Sequence, residues 1–156
     1  MEFTVKTELD LSGFKEIEKA CKALSKTVEV GILHNAEEAE IGTLQHDGGV
    51  GYYAYGAFKG QEVMIPPRPF LANAMNHYGK EILESEAQKL SDFSENTANT
   101  VLDRVGEKAV FATQFVIDEY SRNGGNSDRT IITKGKDSPL IDKGNLRASI
   151  EYEVVK

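Results

Sequence analysis

Tryptophan is absent from the sequence, cysteine occurs once and histidine three times. The raw material for many active sites is correspondingly thin. A single thiol, Cys21, excludes an intrachain disulfide and reads as a small buried hydrophobe. No apolar run approaches the roughly 20 residues that span a bilayer. Residues 1–10 mix charges with apolar side chains and lack the apolar central stretch of a signal peptide. The expectation is a chain kept in the cytosol, with no membrane contact. Bases are also in short supply, 18 against 25 acids over 156 residues, for a formal charge of −7. Phosphate backbones are held by neutralising them with Lys and Arg, so a chain this acidic is poorly suited to wrapping nucleic acid. A hydrophobic fraction of 40% is nonetheless ordinary for one soluble domain with a core, here spanning residues 1–156.

The patterning predicts the elements. Phe3, Val5, Thr7 and Leu9 alternate with polar residues, the period of a strand. Ser12 is placed to cap a helix on which Phe14, Ile17, Cys21 and Leu24 form the apolar stripe. Val28, Val30 and Ile32 give a second strand. Glu40 to His46 reads as a short helix or turn, broken by Gly48-Gly49, and an irregular hairpin bounded by Gly56 and Gly60 follows. A helix opening at Pro69 should run to about Asp92 with Leu71, Met75, Tyr78, Ile82 and Leu83 inward. A longer one, from about Thr97 to Arg122, carries Val101, Val105, Ala109, Ala112 and Val116 on one face, with Leu102, Phe111 and Phe115 beside it. Residues 123–141 read as a long polar loop, mobile in the free chain, with a short strand at Thr130 to Thr133. Alternation of Leu146, Ala148, Ile150, Tyr152 and Val154 predicts a terminal strand. The order gives an α+β fold: a small antiparallel or mixed sheet packed against one short and one or two long helices.

Catalytic constellations are not visible. His46-Asp47 precedes two glycines and reads as a polar turn; three or four ligands with zinc spacing are missing. Gly48-Gly49-Val50-Gly51 lacks the Lys-Ser or Lys-Thr of a phosphate loop. Ser138 and Ser149 have no local base, and Glu16/Glu18, Glu37/Glu38 and Glu84/Glu86 read as solvated faces. The expectation is a protein that is not an enzyme and takes no cofactor or metal.

Two segments outside regular structure are more specific. One is Ile65-Pro66-Pro67-Arg68-Pro69-Phe70-Leu71, a stiff extended lead-in carrying one cation and ending in a hydrophobic plug. The other runs from Ser138-Pro139-Leu140-Ile141-Asp142 through Lys143-Gly144-Asn145-Leu146-Arg147 to Ala148-Ser149-Ile150. Asp142 and Gly144 suit a turn, and Leu146 and Ile150 suit a buried face. A helix entry and a turn before a strand would explain both segments, but neither explanation needs Arg68 or Arg147.

Together these segments resemble the virion-morphogenesis and tail-completion proteins of long-tailed bacteriophages. That family tends to open a long helix with Pro-x-Arg-Pro-Phe-Leu, matched by Pro67, Arg68, Pro69, Phe70 and Leu71. It opens its last strand with Pro-Leu-x-Asp-Thr-Gly-x-Leu-x-x-Ser-Ile. Pro139, Leu140, Asp142, Gly144, Leu146, Ser149 and Ile150 match, with Lys143 standing where Thr is usual. Leu44, His46, Asp47 and Gly48-Gly49 follow a third, looser stretch, and the likeness covers residues 28–155. The resemblance implies an α+β virion protein of the neck or upper tail, made in the host cytoplasm. It also implies a homo-oligomeric ring of about six copies with heterologous contacts. Its neighbours would be neck, tail-tube or tail-terminator proteins, and DNA would pass without sequence-specific binding. Pro67, Arg68, Pro69, Phe70, Leu71, Ile131, Ile132, Leu140, Asp142, Gly144, Leu146 and Arg147 are the expected assembly residues. A lumen on the DNA path should be acidic or neutral, with Glu81, Glu84, Glu86 and Asp92 as candidates. A small acidic cytosolic module that binds or regulates a bacterial protein is the other reading, and neighbouring genes discriminate the two.

Overall fold

A 29-residue helix, α5 (Glu95–Asn123), is the spine on which most other elements pack. The structure, a computed structural model, describes residues 12–92 and 94–156. Ser94 starts α5 by accepting a hydrogen bond from the Thr97 amide, and Gly124 ends it at φ 68°. Val101, Val105, Ala109, Ala112 and Val116 are all buried, as their spacing predicts. Thr113, buried among them, donates its hydroxyl to the Ala109 carbonyl.

Against this spine lie α1 (Ser12–Leu24), α3 (Phe70–Ala74), α4 (Lys80–Ala87) and the antiparallel pair β1 (Thr27–Gly31) and β4 (Glu151–Val155). Register pairs Val30 with Tyr152 and Val28 with Val154. Gly106 lets the sheet approach, because Tyr152 lies directly over it and occupies the space of a Cβ. A second antiparallel pair, β2 (Gly49–Tyr52) and β3 (Glu62–Ile65), forms a separate arm that packs through β2 on α2 (Ala36–Asp47). Its loop contains Gly56 and Gly60, both at positive φ, as the glycine spacing predicts. Two short helices, α6 (Asp128–Lys134) and α7 (Asn145–Ala148), complete the described chain. The fold is α+β with two small antiparallel sheets. No helix among the described residues is long and apolar enough to cross a membrane.

Several expectations are corrected. The helix from Phe70 is one rod in three parts, α3, a π-helical turn (Met75–Gly79) and α4; it ends at Ala87, and Leu83 is exposed. α1 turns Ala20 and Ala23 toward Ala98, so two helices meet through small residues. The larger Phe14, Ile17 and Leu24 are exposed, and so is Cys21. Thr130 to Thr133 are helical within α6, not a strand: Ser127 caps the Thr130 amide, and Gly135 closes the helix in the left-handed region. The β-branched run of Ile131-Ile132-Thr133 pointed to a strand, but the caps on either side decide otherwise. Leu146 and Ala148 belong to α7, and the strand begins only at Glu151. Leu146 and, just beyond α7, Ile150 are buried and Ala148 is exposed, which breaks the two-residue alternation of a strand. The strand expected at residues 3–9 lies outside the described residues.

Glu86 is also unlike its expectation. It is fully buried, and its Oε1 accepts from Lys89 at 2.6 Å and Lys108 at 2.5 Å. It ties α4 to α5 and cannot face a lumen.

Candidate functional site

The two motifs meet. Phe70 from the first and Leu140, Leu146 and Ile150 from the second form one buried cluster with Ala74, Val116 and Ile117. Phe70 is 1% exposed, and His46 meets its ring edge-on at 5.4 Å between centroids. His46 therefore helps to enclose the plug, and the third, looser stretch of the resemblance joins the other two.

Pro139 is fully buried, and Leu140 after it has φ 63°. A branched side chain in the left-handed region costs about 1–2 kcal/mol. Burial of Leu140 in the cluster holds it there. Gly144, at φ 91°, then sets the start of α7 and sends Leu146 back into the same cluster. These residues shape a junction. Phe70, Leu140 and Leu146, expected to touch a neighbouring subunit, are buried core residues in the single chain. In the single chain their spacing marks a unit of packing.

Arg68 has a task within the chain. It is 8% exposed; its Nη2 donates to the Gly125 carbonyl at 3.2 Å and its backbone N–H to the Gln45 carbonyl at 2.9 Å. Burial lowers its pKa, and the nearby Tyr120 and Asp137 act against that shift. Asp137 accepts from the amides of Gly125 at 3.0 Å and Asn126 at 2.9 Å. The start of the segment expected to be a mobile loop is thus pinned from two sides. Arg147 bonds Asp118 of α5 through Nε at 2.9 Å, while its carbonyl accepts from Gln114. Both arginines fasten motif segments to the scaffold, a role that spacing alone did not reveal.

The amides of Gly125 and Asn126 stabilise the Asp137 carboxylate and hold its pKa below the usual range, with Arg68 helping. The folded pKa is lower than the unfolded value of about 3.9. This contribution is therefore fully present above that value and is lost as pH falls through the folded pKa. Hydrogen-exchange protection at Gly125 and Asn126 should hold down to about pH 4 and drop as the pH falls further, while α5 amides stay protected. Asp137→Ala should show the low protection already at the higher pH. Equal protection of both amides in the variant would contradict this assignment.

The outer residues surround a groove of about 780 Å³ between the arm, α2, α6 and the second motif. Tyr53 and Tyr55 line one side, and the Tyr55 hydroxyl donates to Asp142 at 2.6 Å. Asp142 is exposed, and it raises the Tyr55 pKa by holding the phenol proton. Lys134 also lines the groove; burial lowers its pKa, and its Nζ donates to the Ser138 carbonyl at 2.7 Å. Pro67 is exposed, Pro69 and Leu71 are half-buried, and on α6 Ile131 is half-buried and Ile132 exposed. Among the described residues no three His, Cys, Asp or Glu side chains gather as a metal ion would require. The groove mixes Arg68, Lys134 and Lys143 with Glu37, Glu38 and Asp142. No family model, curated protein or solved structure matches the chain.

Proposed function

We propose that this chain is a structural virion protein of a tailed phage, acting by ring-like assembly in the neck or upper tail as a tail-completion or head–tail joining component. One observation carries the reading. Phe70, Leu140, Leu146 and Ile150, taken from the two motifs that resemble the tail-completion family, share one buried cluster. The likeness therefore concerns a single three-dimensional unit, assembled from segments far apart in the chain, and not two unrelated strings. The surroundings agree with an assembly role: large apolar side chains stand exposed on several elements, as they do on subunits that bury them against neighbours. DNA passing through such a ring slides past carboxylates more readily than past bases, which suits a net charge of −7.

Deletion of the gene from its phage, followed by electron microscopy of the lysate, tests the proposal. Separate filled heads and unjoined or irregularly ended tails are expected, with infectivity restored by the gene in trans. Normal, joined and infectious particles would remove the reading.

A further inference from the structure

We propose that the β2–β3 arm docks on a second copy of this chain, its outer apolar face lying against that copy's α4–α5 face. The inference rests on the ring reading above and specifies its subunit contact. Register places Val50 opposite Met64 and Tyr52 opposite Glu62 on one side of the arm. These side chains are exposed, Met64 at 73%, Tyr52 at 64% and Val50 at 53%, with Tyr52 and Met64 at the edge of the groove. The reverse side, with Gly49, Gly51 and Ile65, lies against Leu44 of α2. A two-stranded sheet is marginal by itself, and among the described residues neither β2 nor β3 has a further strand beside it. Apolar side chains on the free face of such an arm gain most when a partner covers them.

The second patch belongs to a different part of the molecule. Phe111 and Phe115 of α5 are one helical turn apart and share a face, and Leu83 of α4 is exposed as well. Phe111 is 68% exposed. Tyr78 supports Phe115 edge-on, and Arg122 lies over the Phe115 ring at 5.6 Å. Arg122 donates to the Asp118 carbonyl, and among the described residues it forms no ion pair.

Charge selects between the possible pairings. Arm against arm would bring two copies of Glu62 onto one apolar contact, and each has only the Tyr52 hydroxyl as a donor among the described residues. Arm against helices instead offers Glu62 the unpaired guanidinium of Arg122. Two different patches in contact make a heterologous interface, the kind that closes into a ring.

Sedimentation velocity on Met64→Asp and Phe111→Asp, alone and mixed in equal amounts, tests this. Wild-type chain is expected to form oligomers and each variant alone to remain monomeric. The mixture should form a one-to-one dimer and nothing larger, because one intact arm meets one intact helical face. Glu62→Arg and Arg122→Glu should each weaken association about tenfold or more, a loss of about 1.4 kcal/mol, and their combination in one chain should recover it. Phe111→Asp that still dimerises alone would show an arm–arm contact and overturn the proposal. Oligomers unaffected by any of the four changes would also overturn it while leaving the ring reading standing. Wild-type chain that stays monomeric at every concentration would remove both.

Discussion

Phe70→Ala is expected to destabilise the chain by about 3–5 kcal/mol, measured as a loss in urea unfolding free energy. Among the described residues Phe70 is the largest fully buried side chain. Its removal opens a cavity lined by both motifs, and little can collapse into it: Pro139 is fixed by its ring and Leu140 by its strained backbone. The loss should be felt at both motifs together. Exchange at Leu146 and Ile150 should rise with that at residues 70–74, although they are far apart in sequence. Phe70→Leu keeps more of the volume and should cost much less. A cost of less than about 1 kcal/mol for the alanine variant would show that the two motifs do not depend on the plug.

Gly106→Ala should also destabilise, against the usual sign. Within a helix, alanine is favoured over glycine by about 1 kcal/mol. At Gly106 the added methyl group would enter the space of the Tyr152 ring, so either β4 must move off α5 or the ring must leave its place. Overpacking of this kind costs about 1–3 kcal/mol. Gly79→Ala is the control: its backbone is helical and the nearest atom to a new Cβ is the Met75 Cβ at 3.8 Å. That change should stabilise by about 0.5–1 kcal/mol. Thermal unfolding of the two variants should shift in opposite directions. A stabilising Gly106→Ala would contradict the packing of Tyr152 over α5.

Much of the fold was legible in the sequence where one physical signal dominated. α5 has a sustained helical period and a glycine stop, and every residue of its predicted face is buried. β1 follows from Val28 and Val30, and the arm from the glycines Gly56 and Gly60 within its loop. Errors arose where two periods coincide or where local signals compete. Leu146 and Ile150 fit both a strand and a helical turn, because a spacing of four satisfies both periods. In α6 the Ser127 and Gly135 caps outweigh two β-branched isoleucines. In α1 the choice of face depended on tertiary structure: close approach to Ala98 favours Ala20 and Ala23 over larger neighbours. No local pattern records that preference.

The candidate site was legible as motifs but not as roles. Proline restriction marked the lead-in to α3, and Gly144 marked the turn into α7. Which motif residues are core and which are surface depends on the encounter of segments some 70 positions apart, which the one-dimensional pattern does not contain. The same holds for the contacts of Arg68 with Gly125 and of Arg147 with Asp118, both made across the fold. Glu86 illustrates the limit most clearly. As one of several acids on a helix it read as solvated, yet it is buried beneath Lys89 and Lys108.

The most direct test of the central claim is a cryo-electron microscopy map of the intact phage particle at the head–tail junction. The account predicts several copies of this chain arranged around the DNA path, with the arm of each reaching the helices of the next and a lumen free of lysine and arginine. A junction and upper tail fully built from other chains, with this fold absent from the particle, would contradict it.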